Sequence, residues 1–329
     1  MSRPISVSVP RHLLRVDDTT KQAYIDAIAE RGLSIELFTP PREQLDEPLS
    51  GFMHEEQYNE SAVQLANRFG LSVDSVHMTP LVSGCSPNGA RICSDKVKDA
   101  MLGYSDTDSS DEIDRYQYCE PDTVVFHPPR LPSDDTAELD FRRQQLIATL
   151  GNATLQLQKT KGIEEAPTIT IENVCPRGSF TYLLTESTDV NRIESAHAQL
   201  QAKQNEGMTV PSVAYTLDVG HATDPFAMLE SMGVPAHVHL HGSTANTDST
   251  RHQLRDTYNL DADDTVGTVE PDNSLQHLPP KAGDESIQKV VDKLTEVGYS
   301  GPIVLELIPS YWTAETLHNS VDAIRDAGW

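Results

Sequence analysis

Imidazoles and carboxylates recur at the C-terminal ends of short β-branched runs in this sequence. LSVDSVHM carries His77, TVVFHP carries His127, and TITIENV carries Glu172 followed by Asn173. AYTLDV carries Asp218, with His221 three residues on. AHVHLHG carries His237, His239 and His241, and PIVLELI carries Glu306. Side chains of these two kinds are ligands for a divalent cation such as Zn²⁺, Mn²⁺ or Mg²⁺. A lone strand-end histidine serves equally well as a hydrogen-bonded packing residue. A glutamate inside an apolar strand such as TITIEN is harder to dismiss, because ionised carboxylates are rarely buried without a partner. The same argument applies to Glu306 within VLEL. His237, His239 and His241 share one face of a strand by its period of two. One or two of them suffice as ligands, and the rest are free to lie at the surface.

For these groups to meet, the runs must be brought side by side. Strand candidates are 5–9, 33–38, 71–78, 123–128, 168–174, 214–219, 236–242 and 302–308. Amphipathic segments lie between them at 20–31, 58–69, 137–160, 188–206 and 285–297. Three of these segments end in glycine just before the next strand, at Gly32, Gly70 and Gly298, the usual end of a helix before a strand. Eight such units in 329 residues predict an α/β fold, a single (β/α)₈ TIM barrel with long loops on its C-terminal face. An open doubly wound sheet is the competing architecture, but no GxGxxG follows the first run. Active sites of barrels lie at the C-terminal face, where the ends of all eight strands converge. Polar excursions interrupt the pattern near 79–122 and 243–284, and both are expected as loops on that face. No linker divides the chain, so one domain over 1–329 is expected.

Composition bounds the partners. Fifty acidic residues against 25 basic ones give a formal net charge of −25. Only nine of the bases are lysine. Such a surface gains little from a polyanion, except through a local basic or metal-filled cleft. An acid-rich, lysine-poor balance spread over the whole chain also resembles proteins of high-salt cytoplasm, where screening removes the self-repulsion. No run approaches 18 apolar residues, so no transmembrane helix is expected, and MSRPISVSVP lacks the apolar core of a signal peptide. The four cysteines form no CxxC pair, as in a reduced cytoplasmic protein.

The segments VHMTPL, VVFHPP, TITIENVCPRGS, TLDVGHA, HVHLHGS, HLPPKAGDESIQKVVDKL and GYSGPIVLEL together resemble the xylose isomerase-like TIM barrels. That superfamily includes sugar phosphate isomerases/epimerases and endonuclease IV. The isomerase pattern implies one metal held by Glu172, Asp218, His239 and Glu306. It implies proton transfer by the two glutamates, a substrate contact from His221, and a small sugar or sugar phosphate as substrate. Arg177 and Lys281, with Arg251 and Arg255, lie in loops that could bind a phosphate or carboxylate. They could equally be surface counter-charges. The endonuclease IV pattern implies a three-metal cluster that cuts abasic DNA, adding His77, His127, His221 and His277 as ligands. It also needs an aspartate two residues before the last histidine. Leu275 stands there, with Asp248 or Asp272 as the possible substitutes from the loop. The missing aspartate and the acidic charge place the isomerase first and the endonuclease as the alternative.

Overall fold

The computed structural model describes residues 3–10, 13, 19–39, 66, 68–78, 121–128, 130–131, 136–157, 167–175, 181–203, 210, 212–270, 273–281 and 285–329. Their elements run β1 (Ile5–Pro10), α1 (Thr19–Glu30), β2 (Ser34–Thr39), β3 (Val73–Met78), β4 (Thr123–Phe126), β5 (Arg130–Leu131), α2 (Thr136–Leu157), β6 (Thr168–Glu172), β7 (Thr181–Tyr182), α3 (Ser187–Lys203), β8 (Ala214–Asp218), α4 (Pro225–Met232), β9 (His237–Leu240), β10 (Gly242–Ala245), α5 (Asp248–Tyr258), β11 (Thr268–Val269), β12 (Ser274–Leu278), α6 (Glu285–Glu296), β13 (Ile303–Leu305) and α7 (Ala314–Asp326). Eight strands close a parallel barrel in the order β1-β13-β9-β8-β6-β4-β3-β2. The fold is a (β/α)₈ TIM barrel, and its eight strands match the eight runs read from the sequence.

Strand alternation explains both faces of the wall. On β6, Ile169 and Ile171 are buried in the apolar core, while Thr170 meets Thr216 of the neighbouring strand β8 at 2.6 Å. Leu217 and Val238 join that core, whereas Asp218 and His239 are register partners on neighbouring strands. Helices close over the apolar face. In α6, Ile287, Val290, Val291 and Leu294 repeat at helical spacing and are buried. In α4, Asp224 caps the first turn by accepting from the Phe226 and Ala227 N–H groups, with Pro225 in the first helical position. The glycines that mark helix ends take left-handed φ values, 61° at Gly32 and 82° at Gly298.

One expectation needs correction. Residues 243–284 are not a polar loop alone. They hold β10, α5 and a three-stranded antiparallel sheet in the order β10-β12-β11. Leu254, Val266, Leu275 and Leu278 of this stretch are buried in the core. Apolar residues spaced one per strand or turn are too sparse to read as a core from composition. The segment 285–297 forms α6, and one more helix, α7, follows the eighth barrel strand. Most of the helix read at 58–69 and most of the excursion at 79–122 lie outside the described residues.

Candidate metal centre at the barrel mouth

Six interior strand ends deliver the cluster. Glu172 ends β6, Asp218 ends β8, His239 lies on β9, and Glu306 directly follows β13. His77 lies on β3, and His127 directly follows β4. The decisive geometry belongs to His239. Its Nδ1 lies 3.6 Å from Glu172 Oε1, 3.6 Å from Glu306 Oε1 and 4.0 Å from Asp218 Oδ2. Donors on a common ion at about 2.1 Å stand about 3.0–4.2 Å apart in tetrahedral or octahedral arrangements. His239 Nδ1 is buried and lacks a hydrogen-bond partner, and buried Asp218 Oδ2 has the His221 ring beside it, 3.1 Å away but without hydrogen-bond geometry. Buried polar atoms without partners in a native interior call for an explanation, and a cation between them satisfies both. The donor set of three carboxylates and one imidazole therefore fits a divalent ion.

The remaining histidines enclose this point. His77 Nε2 lies 2.9 Å and His127 Nε2 3.2 Å from Glu172 Oε2. His221 Nδ1 stands 3.2 Å from Glu172 Oε1 and 3.1 Å from Asp218 Oδ2. His277 Nε2 is 3.7 Å from Glu306 Oε2, and its ring stacks on His241 at 4.3 Å. Thus His77, His127, His221 and His277 all lie against the four-residue cluster. The side chains of Glu306, His277 and His127 are 13%, 19% and 28% exposed, which marks the open side of the site.

The expectation that some of His237, His239 and His241 lie at the surface is overturned. All three are buried, because their shared face points into the closed barrel. Leu275, where an aspartate was missing, is fully buried in the core. Asp248 does not replace it: it is exposed in the first turn of α5. Asp272 and Arg177 lie outside the described residues. Lys281 is exposed, 6.0 Å above the Tyr258 ring, and Arg251 donates to Asn246.

Glu36 and Gly220 escaped the sequence reading, as did the backbone roles of Asn173 and His277. Glu36 on β2 is fully buried and lies 3.2 Å from His239 Nε2. It is the one charged residue of LSIELF, the same signal that singled out Glu172 in TITIE. Asn173 clamps the Asp218 backbone from both sides, donating to its carbonyl and accepting from its N–H at 2.9 Å each. Gly220 lies under His241; a Cβ there would stand 1.8 Å from the ring. His277 adopts φ 59°, and its backbone N–H donates to His241 Nδ1 at 3.0 Å. A left-handed non-glycine residue costs about 1–2 kcal/mol and is found where function over-determines the backbone.

Charge separates the acids. Burial pushes the Glu172 carboxyl up, but the facing His127, His239 and His221 rings overcome it and hold it well below the ordinary range. Asp218 is lowered against burial by His221 and His241. Glu306 goes the other way: burial and the neighbouring Glu172 raise it beyond what His239 offsets. Burial lowers the imidazoles, yet Asp218 and Glu172 carry His221 up to about 9, and Glu306, Glu36 and Glu172 raise His239 well above its ordinary value. His277, buried and beside His241 and His221, falls well below.

No protein-family model and no curated protein matches the chain. Solved structures do. A xylose isomerase-like TIM barrel protein from Mycobacterium smegmatis, in complex with magnesium, is 14% identical over 99% of this chain and 98% of its own, with TM-score 0.53. What the two chains share is the TIM barrel fold. A sugar phosphate isomerase/epimerase from Parabacteroides distasonis is 16% identical, with 99% and 96% covered and TM-score 0.51. The 3-keto-D-glucoside 4-epimerase YcjR from E. coli is 12% identical, with 98% and 99% covered and TM-score 0.51. No helix among the described residues is long and apolar enough to cross a membrane.

Proposed function

We propose that the chain, one barrel domain over residues 1–329, is a divalent-metal-dependent isomerase or epimerase of a sugar or sugar phosphate. Glu172, Asp218, His239 and Glu306 hold the ion, and Glu172 and Glu306 move the proton. The observation that carries this reading is the unpartnered His239 Nδ1, within 4.0 Å of oxygens from all three acids. Sugar epimerases among the structures of similar fold support it.

A bound cation polarises a substrate carbonyl and its neighbouring hydroxyl, which acidifies the adjacent C–H. The residues divide the proton work by environment. Glu172, held ionised by the rings around it, suits the base; Glu306, raised and partly open to the mouth, suits the acid. They stand on β6 and after β13, so they reach a substrate carbon from different sides of the mouth. One carboxylate removes a proton and the other returns one, which inverts a centre or moves a carbonyl. His221, beside Glu172 and Asp218, contacts the substrate. Arg177 and Lys281 supply charge for a phosphate.

The test is exchange of solvent protons into a panel of ketoses and aldoses, together with metal content. Glu172→Gln keeps size and one oxygen ligand but removes the base, so exchange falls by orders of magnitude while most metal is retained. Asp218→Ala and His239→Ala each lose one of four ligands and lose the metal. Exchange that persists in Glu172→Gln overturns the two-glutamate mechanism.

One observation favours a second reading, metal-dependent cleavage of abasic DNA. His77 and His127 bracket Glu172 as one further donor group, and His221, His241 and His277 form another. Three metals per chain, with cleavage of abasic-site DNA and no exchange in any sugar, would move the assignment there. The buried Leu275 weighs against that outcome.

A further inference from the structure

Below the mouth, a second carboxylate receives three donors. Glu36 Oε2 accepts from Ser75 Oγ at 2.9 Å, and stands 2.8 Å from His237 Nε2 and 3.2 Å from His239 Nε2. Glu36, Ser75, His237 and His239 come from β2, β3 and β9, and all four are buried. Nothing in the four-ligand site requires Glu36 to bind an ion itself. Its chemistry is that of an acceptor. An ionised carboxylate has only lone pairs, so both imidazoles must present Nε2–H to it. In a neutral ring this leaves Nδ1 as the bare lone pair. His239 Nδ1 is the atom that faces Glu172, Asp218 and Glu306.

We infer that Glu36 is the positioning residue of the metal centre: it fixes His239 in the Nε2-protonated tautomer and aims its Nδ1 lone pair at the ion. The inference rests on the ligand set proposed above. Glu36 acts at one remove from the ion, as carboxylates behind metal-bound histidines do. The opposite tautomer would set an Nε2 lone pair against Glu36 oxygens and an N–H in the ligand position. His237 packs beside His239, with ring centroids 5.2 Å apart, and shares the same acceptor. It therefore leaves Glu36 no freedom to turn away.

Glu36→Gln tests this directly. The amide offers one acceptor oxygen and one donor nitrogen to three donors, so at least one imidazole loses its partner or flips. The full chain, stripped of metal, is titrated with Co²⁺ against a competing chelator while the visible absorption is recorded. Glu36→Gln should weaken Co²⁺ affinity about 10- to 100-fold and shift the visible bands. Ser75→Ala removes a donor without touching the rings and should change affinity less than about threefold. Tight wild-type binding that is lost in His239→Ala, yet unchanged in affinity and spectrum in Glu36→Gln, overturns the positioning role alone. Failure of the wild type to bind Co²⁺, or wild-type binding by His239→Ala, overturns the ligand set and this inference with it. Should Glu36→Gln not fold, the wild type answers instead. In the Zn²⁺-loaded chain, long-range ¹H–¹⁵N correlation spectra should show His239 protonated at Nε2 and metal-bound at Nδ1. The reverse assignment refutes the inference.

Discussion

The lower barrel interior and the mouth are built from similar polar residues, but they treat their hydrogen bonds differently. Below, the hydroxyls of Thr170 and Thr216 pair at 2.6 Å, those of Ser6 and Ser34 also at 2.6 Å, and Ser75 donates to Glu36. At the mouth, Asp218 Oδ2, His221 Nε2, His239 Nδ1, His241 Nε2 and His277 Nδ1 are buried without a hydrogen-bond partner. Buried polar groups normally find partners within the protein, since each unpaired one costs about 1–3 kcal/mol. The lower layer is the more fully paired of the two, with Glu36 Oε1 and His237 Nδ1 left over, and serves the fold. The upper layer leaves more of its polar atoms unpaired and brings them together, which is the arrangement expected where a ligand completes the set.

The strongest way to break this contrast is at Gly220. Gly220→Ala drives a Cβ into the His241 ring, and the His241–His277 stack and the Asp218–His221 turn must shift with it. Turnover in the exchange assay should fall at least about 100-fold, since displacements near 1 Å at a site have that effect, while the far-ultraviolet circular dichroism stays that of a folded barrel.

A smaller effect sharpens the electrostatic side. His221 is raised to about 9 in the folded chain, from an ordinary value near 6.5. Its charged form therefore contributes stability that is fully present below about pH 6.5 and is lost as pH rises through about 9. The melting temperature of the metal-stripped protein should decline over that window by a few degrees. His221→Gln should flatten the decline. An unchanged slope in the variant would show that the charged ring does not stabilise the cluster.

The smallest expected effect lies in the lower layer. Thr216→Val removes one hydroxyl of the Thr170 pair and keeps the shape of the side chain. It should cost about 1 kcal/mol in denaturant unfolding and leave Co²⁺ affinity within about twofold. A large loss of affinity would show that the two layers are not separate.

The strand–helix alternation, the helix-ending glycines and the buried glutamates of TITIE and VLEL were legible as pattern, because period and burial chemistry are local properties. From them the barrel and its open end could be read, with Glu172 and Glu306 as candidate ligands; the full set with Asp218 and His239 came only with the family resemblance. Distance in sequence hid the rest. Glu36 and His237 are separated by 201 residues yet meet at 2.8 Å, and only barrel closure tells which residues of β2 and β9 share a level. The same closure turned His237, His239 and His241 all inward, although a strand read alone cannot say whether its polar face meets water or another strand. It also split the acids, lowering Glu172 and raising Glu306. Residue types and their period were set along the chain; which lone pairs converge, and which are already answered by a neighbour, depended on long-range packing that no local signal encodes.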